Sequence, residues 1–233
     1  MKSVLEELAK SISDSELRKC VESFLRNPEM SVAPSVKPRV SLDESPAAPR
    51  KHHMYRGGLL QHTVAVTLIA EQLASLIRSV YGVEVRRDLV VAAAILHDFY
   101  KFYQYEFDEV EGTFKPRRDW YFSHDYAIVA EAARRGCPEE LLRVLSEVHG
   151  TVPITTIEGL VVHLADSVDA RLGEYLQSIA LNVLKELEEI HGCKHGKVFD
   201  VLVSRYGFNK VLELAVKDEL KKVAEAVCME VRG

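Results

Sequence analysis

The 233-residue sequence has only four cysteines, and no two of them stand at the CxxC spacing that is typical of zinc and redox motifs. They lie far apart along the chain, at Cys20, Cys137, Cys193 and Cys228. Scattered cysteines of this kind usually behave as small buried hydrophobic residues, and they remain reduced in the cytosol. We therefore expect four buried, free thiols.

The sequence also lacks an excess of basic residues, a signal peptide and a long apolar run. Its net charge of -5 gives the chain no overall attraction for nucleic acid, so a polyanionic substrate must be held locally by a metal or a few basic side chains. The first residues are charged and amphipathic, and no apolar run approaches the ~18 residues that span a bilayer. These absences predict a cytoplasmic protein with no membrane partner.

Apolar periodicity predicts helices along most of the chain and hence an all-α helical bundle. Five of the eight prolines fall within residues 27–50, where no helical period survives. Residues 102–120 alternate aromatic and polar residues before a glycine turn, which predicts a small hairpin or a flap. The predicted helices cover 2–11, 14–26, a long stretch after Gly57-Gly58, 88–101, 122–135, 138–149, 155–190, 196–206 and 209–231.

Two of these helices have apolar stripes at helical spacing. In the first, His62 begins a stripe that continues in steps of three and four to Val80, and we expect this stripe to be buried. In the second, one apolar face is marked at steps of four by Leu160, Leu164, Val168 and Leu172.

Two carboxylates occur in helices that are too apolar to lie on the surface. Asp98 ends the run VVAAAILHD, directly after His97, and Asp166 lies in LVVHLADSVDARL with Asp169 one turn later. A buried carboxylate costs several kcal/mol unless it is paired or binds a cation. We therefore predict that Asp98 and Asp166 face a divalent cation, close to His62.

Two further histidines, His124 and His149, lie near helix ends, where their side chains can reach into a cleft. Imidazole nitrogen combined with carboxylate oxygen suits Fe, Mn, Co, Ni or Zn. Four such ligands hold one ion, and six are enough for two ions that share a carboxylate. The predicted cofactor is therefore one or two divalent transition-metal ions, and the predicted ligands are His62, His97, Asp98, His124, His149 and Asp166.

The order His, His-Asp, His, His, Asp resembles that of the HD-domain metal-dependent phosphohydrolase superfamily. The words HHMYRGGLLQHT, LHDFYK, EVHG and PITTIEGLVVHLADSVDARL look like the HD domain of YhaM-type 3′–5′ exoribonucleases and their stand-alone relatives, over roughly residues 50–175. The family's lysine falls on Lys101, while Tyr100 stands where glycine is common. Its core ligands fall on His62, His97, Asp98 and Asp166, and those of two-metal members on His124 and His149.

The resemblance divides the chain into three parts. Residues 51–190 are predicted to form the HD metal-binding domain, a helical bundle. Residues 1–50 supply N-terminal helices and a Pro-rich crossing segment, which are too short for the OB-type module of YhaM-type enzymes. Residues 191–233 are predicted to be C-terminal helices packed on the same domain.

The implied activity is hydrolysis of a phosphomonoester or phosphodiester of a nucleotide, with a metal-bound hydroxide as nucleophile. The candidate catalytic residues are Asp98, Lys101 and Asp169. Lys101 either steadies a phosphate oxygen or is a solvated cation at a helix end. Asp169 either orients water or a ligand imidazole, or forms a salt bridge to Arg171 or a neighbouring helix.

Other residues near the predicted site have weaker claims to a role. Arg171 is a lesser phosphate candidate, and Asp125 either orients water or a ligand imidazole or is an acid at a helix start. The aromatic segment 102–107, with Trp120 and Tyr121, either packs in the core or walls a pocket and stacks a base. The remaining histidines are predicted to be structural, at the pocket rim or exposed: His52, His53, His163, His191 and His195.

Three other functional classes stay open on the sequence alone. The first is a 3′–5′ exonuclease that acts with a nucleic-acid-binding partner. The second is an HD-fold di-iron oxygenase, and the third is a metal-binding sensor without catalysis. The expected partners are a small phosphorylated substrate, a nucleotide or a short RNA, and a homodimer is left open.

Overall fold

The computed structural model describes residues 1–231 and is helical apart from one two-stranded hairpin. The all-α class and the small hairpin are therefore as predicted. The elements are α1 (Lys2–Lys10), α2 (Ser15–Arg26), α3 (Gly58–Leu76, extended by a wide turn over Ile77–Tyr81), α4 (Arg87–Leu96), a short tight helical segment (Phe99–Tyr103), β1 (Tyr105–Asp108), β2 (Thr113–Pro116), α5 (His124–Arg134), α6 (Glu139–Glu147), α7 (Ile157–His191), α8 (His195–Tyr206), α9 (Phe208–Val216) and α10 (Leu220–Val231).

Helix boundaries follow local chemistry where the sequence carries a cap. Asp14 accepts hydrogen bonds from the backbone N–H groups of Glu16 and Leu17 and so begins α2. The single helix predicted over 209–231 is wrong. It breaks at Asp218, whose φ of 58° is left-handed, and this separates α9 from α10.

Two apolar clusters form the interior, and α7 contributes to both. The larger cluster is built by α1 to α6 with the first part of α7, and it encloses the predicted site. The smaller cluster joins the second part of α7 to α8, α9 and α10. The proposed limits 1–50, 51–190 and 191–233 stay a prediction, and residues 232 and 233 lie outside the described residues.

The Pro-rich crossing segment is held to α5 by two charged side chains. Glu131 is buried and accepts hydrogen bonds from the backbone N–H groups of Ser31 and Val32. Arg135 donates to the carbonyl oxygens of Asn27 and Glu29. Backbone groups that have no helical partners are thereby satisfied, and the segment is fixed against the bundle.

The helix α3 is more apolar than we expected from the absence of a long uninterrupted apolar run in the sequence. The stretch Gly58–Tyr81 has a mean hydropathy of 1.3 and could cross a membrane by length and composition alone. One such helix is weak support for a membrane span, because core helices of soluble proteins have the same composition. Here α3 packs against α4 and α7 and carries His62 into the interior.

The predicted stripes are only partly buried. On α3, Val66 is buried as expected, whereas Leu76 and Val80 are exposed. On α7, the apolar face marked by Leu160 and Leu164 is exposed along its length, and the buried face is the one that carries Asp169. Apolar periodicity identified both stripes, but the prediction that the stripe on α3 is buried is wrong at its end, at Leu76 and Val80.

The expectation of four free thiols is wrong. All four cysteines are buried, as expected, but the fold pairs Cys20 with Cys137 and Cys193 with Cys228. The first disulfide joins α2 to the turn after α5, and the second joins the turn between α7 and α8 to α10. Partners that are 117 and 35 residues apart in sequence have no spacing motif that reveals them.

We predict that each disulfide stabilises the fold, the longer loop more than the shorter one. Closing a loop restricts the unfolded chain, so the paired substitution of Cys20 and Cys137 by serine should lower the free energy of unfolding by about 2–4 kcal/mol. The same change at Cys193 and Cys228 should cost about 1 kcal/mol less. Denaturant unfolding measures both values. A thiol reagent should modify no cysteine in the native protein, and labelling without reductant would contradict the pairing.

Candidate metal centre

The side chains of the six predicted ligands come together in the larger apolar cluster. They arrive from five parts of the bundle: the first turns of α3, the end of α4, the start of α5, the loop after α6 and the first third of α7. In chain order these are His62, His97 with Asp98, His124, His149 and Asp166. Residues separated by about a hundred positions thus share one small volume.

Asp98 lies at the centre of the cluster and is fully buried. Its Oδ2 is 3.3 Å from His62 Nε2 and 3.5 Å from His97 Nε2. Its Oδ1 is 3.2 Å from His124 Nε2 and 3.4 Å from His149 Nε2. The two carboxylate oxygens therefore face two different pairs of imidazoles.

This division creates two groups of possible ligands that share Asp98. One group adds His62, His97 and Asp166, and the other adds His124 and His149. Within each group the ligand atoms lie within 4.8 Å of one another. The first group is almost enclosed, whereas the imidazoles of the second group are partly exposed.

Several polar atoms of the cluster are buried without a hydrogen-bond partner among the described residues. They are Nε2 of His62, His97 and His124, and both carboxylate oxygens of Asp98, of which Oδ2 has the Lys101 ammonium as a close ion-pair neighbour. Buried polar atoms of a native protein are almost always satisfied, and one or two divalent cations would satisfy all of these. Nitrogen and oxygen donors of this kind fit a transition-metal ion.

Hydrogen bonds at Nδ1 fix the orientation of two of the ligand imidazoles. His62 donates from Nδ1 to Asp169 Oδ2 at 2.6 Å, and His97 donates from Nδ1 to the Ala94 carbonyl at 2.7 Å. A hydrogen bond at Nδ1 fixes the ring and leaves Nε2 free to bind a metal. Asp169 is thus a buried partner of His62, and the alternative salt bridge to Arg171 is not formed.

Electrostatics in the cluster favour neutral imidazoles around an ionised carboxylate. Burial lowers the pKa of His97, His124 and His149, which favours the form that binds a metal. Burial opposes ionisation of Asp98, but Lys101 and the surrounding imidazoles hold its pKa well below its usual value.

His62 differs from the other imidazoles because three carboxylates surround it. Burial opposes its charge, yet Asp166, Asp169 and Asp98 raise its pKa to about 10. Without a cation, a proton on His62 is what offsets these negative charges. The carboxylate surplus around His62 is a further feature that suits a divalent ion.

Lys101 points into the cluster, with Nζ 2.5 Å from Asp98 Oδ2, and its side chain is only 12% exposed. This geometry favours the phosphate-contact alternative over a solvated helix-end cation. The neighbouring Tyr100, which replaces the usual glycine, is fully buried and packs against Phe24 and Phe99. The bulky residue therefore turns away from the site and fills the core.

The weaker candidates have varied surroundings. Arg171 is 86% exposed and pairs with Glu174, and its contact with phosphate stays a prediction. Asp125 accepts from Ser123 Oγ at the start of α5, as a helix-start acid does. Tyr103 is buried in the core, whereas Tyr121 is exposed.

The sequence interpretation understated His52 and His53. Both are buried, and their rings lie against His62, with centroids 4.9 and 5.4 Å away. His53 has a left-handed φ of 46°, and the ring fits only because Gly173 has no side chain. His53 Nε2 lies 3.6 Å from Asp169 Oδ2. His53 therefore lies next to the carboxylate that accepts the hydrogen bond from His62.

Three other histidines have structural or peripheral positions. His163 donates from Nδ1 to the Val148 carbonyl at 2.7 Å and joins α7 to α6. His195 pairs with Glu188 at the start of α8. His191 is half-buried at the end of α7.

Known proteins resemble this chain over the stretch of sequence that carries the cluster. The HD domain family matches residues 59–171, the stretch that carries all six predicted ligands. A protein of Methanocaldococcus jannaschii is 37% identical over 227 residues, which is 94% of this chain and 90% of that protein. It is named dihydroneopterin 2′,3′-cyclic phosphate phosphodiesterase. No solved structure is a significant match.

We predict that metal content depends on the two groups differently. Asp98→Ala should abolish binding of both ions, because its carboxylate serves both groups. His149→Ala should remove only the ion of the more exposed group and leave about one ion per chain. Elemental analysis of purified protein measures this, with His195→Ala as a matched control. Full metal content in a folded Asp98→Ala protein would contradict the assignment.

Proposed function

Because the chain belongs to the HD-domain family of metal-dependent phosphohydrolases, we propose that it hydrolyses a phosphodiester of a small nucleotide-like compound at the Asp98 cluster. The relative named above acts, by its name, on a 2′,3′-cyclic phosphate. A cyclic phosphodiester of that kind is the first substrate to test. The closer likeness to YhaM-type exoribonucleases stays a prediction.

The observation that carries the proposal is the position of Asp98 between two sets of imidazoles. The proposed cofactor is one or two ions of Fe, Mn, Co, Ni or Zn, held by the six residues named above. When bound, such an ion polarises a phosphoryl oxygen and lowers the pKa of a coordinated water toward ~7. The protein contributes the fixed donor geometry and a largely buried surrounding.

Lys101 is proposed to contact the substrate phosphate. Its ammonium lies beside the shared carboxylate and retains its charge, since Asp98 raises its pKa against the effect of burial. A fixed positive charge close to the reacting phosphorus stabilises the additional negative charge of the transition state. The partly exposed side chains of His124, His149 and Asp166 mark the side from which a substrate enters.

A small substrate fits the surroundings better than a nucleic-acid strand does. Around the hairpin beside the cluster, Arg39, Lys115 and Arg117 are all paired with carboxylates. A basic track for a polynucleotide would need free cations along the approach. The net charge of -5 also disfavours a strand, so the exonuclease alternative is weaker.

Asp169 and His53 are proposed to be positioning residues. Asp169 orients His62 through Nδ1, and His53 supports Asp169 from the opposite side. Neither needs to contact the substrate. Their role is to keep Nε2 of His62 directed at the ligand group.

We also propose a cytoplasmic location, where a nucleotide-like substrate is available. Paired cysteines do not exclude it, because disulfide-rich intracellular proteins exist in hyperthermophiles.

A substrate panel tests the proposed activity. Metal-loaded protein should hydrolyse a 2′,3′-cyclic nucleotide or pterin phosphate, with less activity on monoesters and on short RNA. Lys101→Met should keep its metal and lower kcat about 100-fold, as loss of a transition-state charge does. Asp98→Ala should lose metal and activity together. A protein that holds two irons, hydrolyses none of these esters and consumes oxygen would be an oxygenase instead.

The positioning role of Asp169 predicts a partial defect. Asp169→Asn keeps the size of the side chain but weakens the hydrogen bond from His62, so metal affinity or activity should fall about 10–100-fold. With cobalt in the site, the visible absorption spectrum should shift because the His62 ligand is reoriented. Asp200→Asn, on α8 where Asp200 pairs with Arg56, is the matched control. An unchanged spectrum and an unchanged rate would show that Asp169 has no such role.

A further inference from the structure

An apolar stripe on α7 is exposed to solvent over about four turns of the helix. Its members are 37% to 67% exposed and follow one another at steps of four, four, four and three. They are Leu160, Leu164, Val168, Leu172 and Tyr175. The part of the chain that the structure describes leaves this stripe uncovered, although single exposed apolar residues would need no explanation.

The area of the stripe can be compared with what a dimer needs. Its five side chains expose on the order of 400 Å² of apolar surface, within the range of the largest patch on a typical monomer. A stable homodimer buries about 800 Å² per subunit, of which about two-thirds is apolar. The stripe alone therefore supplies most of the apolar area of one such interface.

The spacing of the stripe fits a second copy of the same chain. The side chains are arranged almost symmetrically about Val168, with Leu164 and Leu172 four residues to either side. A two-fold axis that lies between two nearly antiparallel α7 helices and passes beside Val168 would place Leu164 near Leu172 of the second copy. It would also place Leu160 against Tyr175 of the second copy. A two-fold interface requires this kind of self-complementary surface.

We propose that the α7 stripe is the interface of a homodimer in which the two α7 helices cross at Val168. The interface lies on the exposed face of α7, whereas Asp169 lies on its buried face. This proposal is independent of the proposed function, because it uses none of the residues of the cluster.

The charges beside the stripe favour a second copy over a membrane surface. Arg171 and Glu174 are exposed next to it and pair with each other, and Glu158 lies near its beginning. A helix that lies on an anionic membrane typically carries a lysine- and arginine-rich polar face. A mixed and balanced border is instead typical of the polar rim of a protein interface.

Sedimentation velocity on the full chain tests the oligomeric state. The parent protein should sediment as a dimer over the micromolar range. Val168→Glu should weaken association at least ~100-fold, because it places two carboxylates at the centre of an apolar contact. Val216→Glu, on an exposed position of α9, should leave the dimer intact. A monomeric parent, or a Val168→Glu protein that dimerises as the parent does, would overturn the proposal.

A cross-link tests the position of the axis. Since all four native cysteines are paired, an introduced cysteine is the one free thiol of the chain. Val168→Cys should form a disulfide-linked dimer under mild oxidation, because a residue on the axis meets its own copy. Val216→Cys should remain mostly unlinked. If Val168→Cys links no faster than Val216→Cys, the two helices do not cross at Val168.

Discussion

The burial of one ionised carboxylate governs the architecture of the site. Asp98 lies at the end of an almost wholly apolar helix, where an isolated charge would cost several kcal/mol. The surroundings compensate from three directions, with two imidazoles at each oxygen and the Lys101 ammonium beside one of them. This arrangement leaves buried donor atoms unsatisfied, so the cluster is best completed by a cation. Stability of the apolar helix and affinity for metal are therefore linked through the same residue.

The rest of the bundle serves to hold these donors at fixed positions. The helix ends at α4 and α5 and the loop after α6 can approach one another because Ala92, Ala93 and Ala94 let the helices pack closely. Behind the ligands, the backbone carbonyl of Ala94 and the carboxylate of Asp169 fix the orientation of two imidazoles. Metal sites depend on such outer contacts nearly as much as on the ligands, because a misdirected imidazole binds weakly.

Sequence reasoning found the donors because a buried charge is costly and therefore conspicuous. Asp98 and Asp166 were identifiable from the apolar residues around them, and the histidines from their order along the chain. Features that depend on long-range packing were not identifiable in this way. The partners of Cys20 and Cys193 are set by the fold alone, and the importance of His53 depends on the space that Gly173 leaves, more than a hundred residues away. An apolar stripe at steps of four also looks the same in sequence whether another helix of the chain or a second chain covers it.

Helix α7 combines a face that carries the carboxylates of the cluster with an exposed apolar face. Its buried face carries Asp166 and Asp169 and so fixes two charges of the cluster, while its outer face presents the apolar stripe. Two-sided apolar character is costly for a helix on the surface of a monomer, because the hydrophobic effect acts on the outer face as well. A helix that must stay straight to present Asp166 cannot easily bend to hide that face. Packing α7 against a second copy would remove the exposed surface without disturbing the side that holds the donors. The same contact would restrain α7 at the level of the cluster, so that self-association and the precision of the site would support each other.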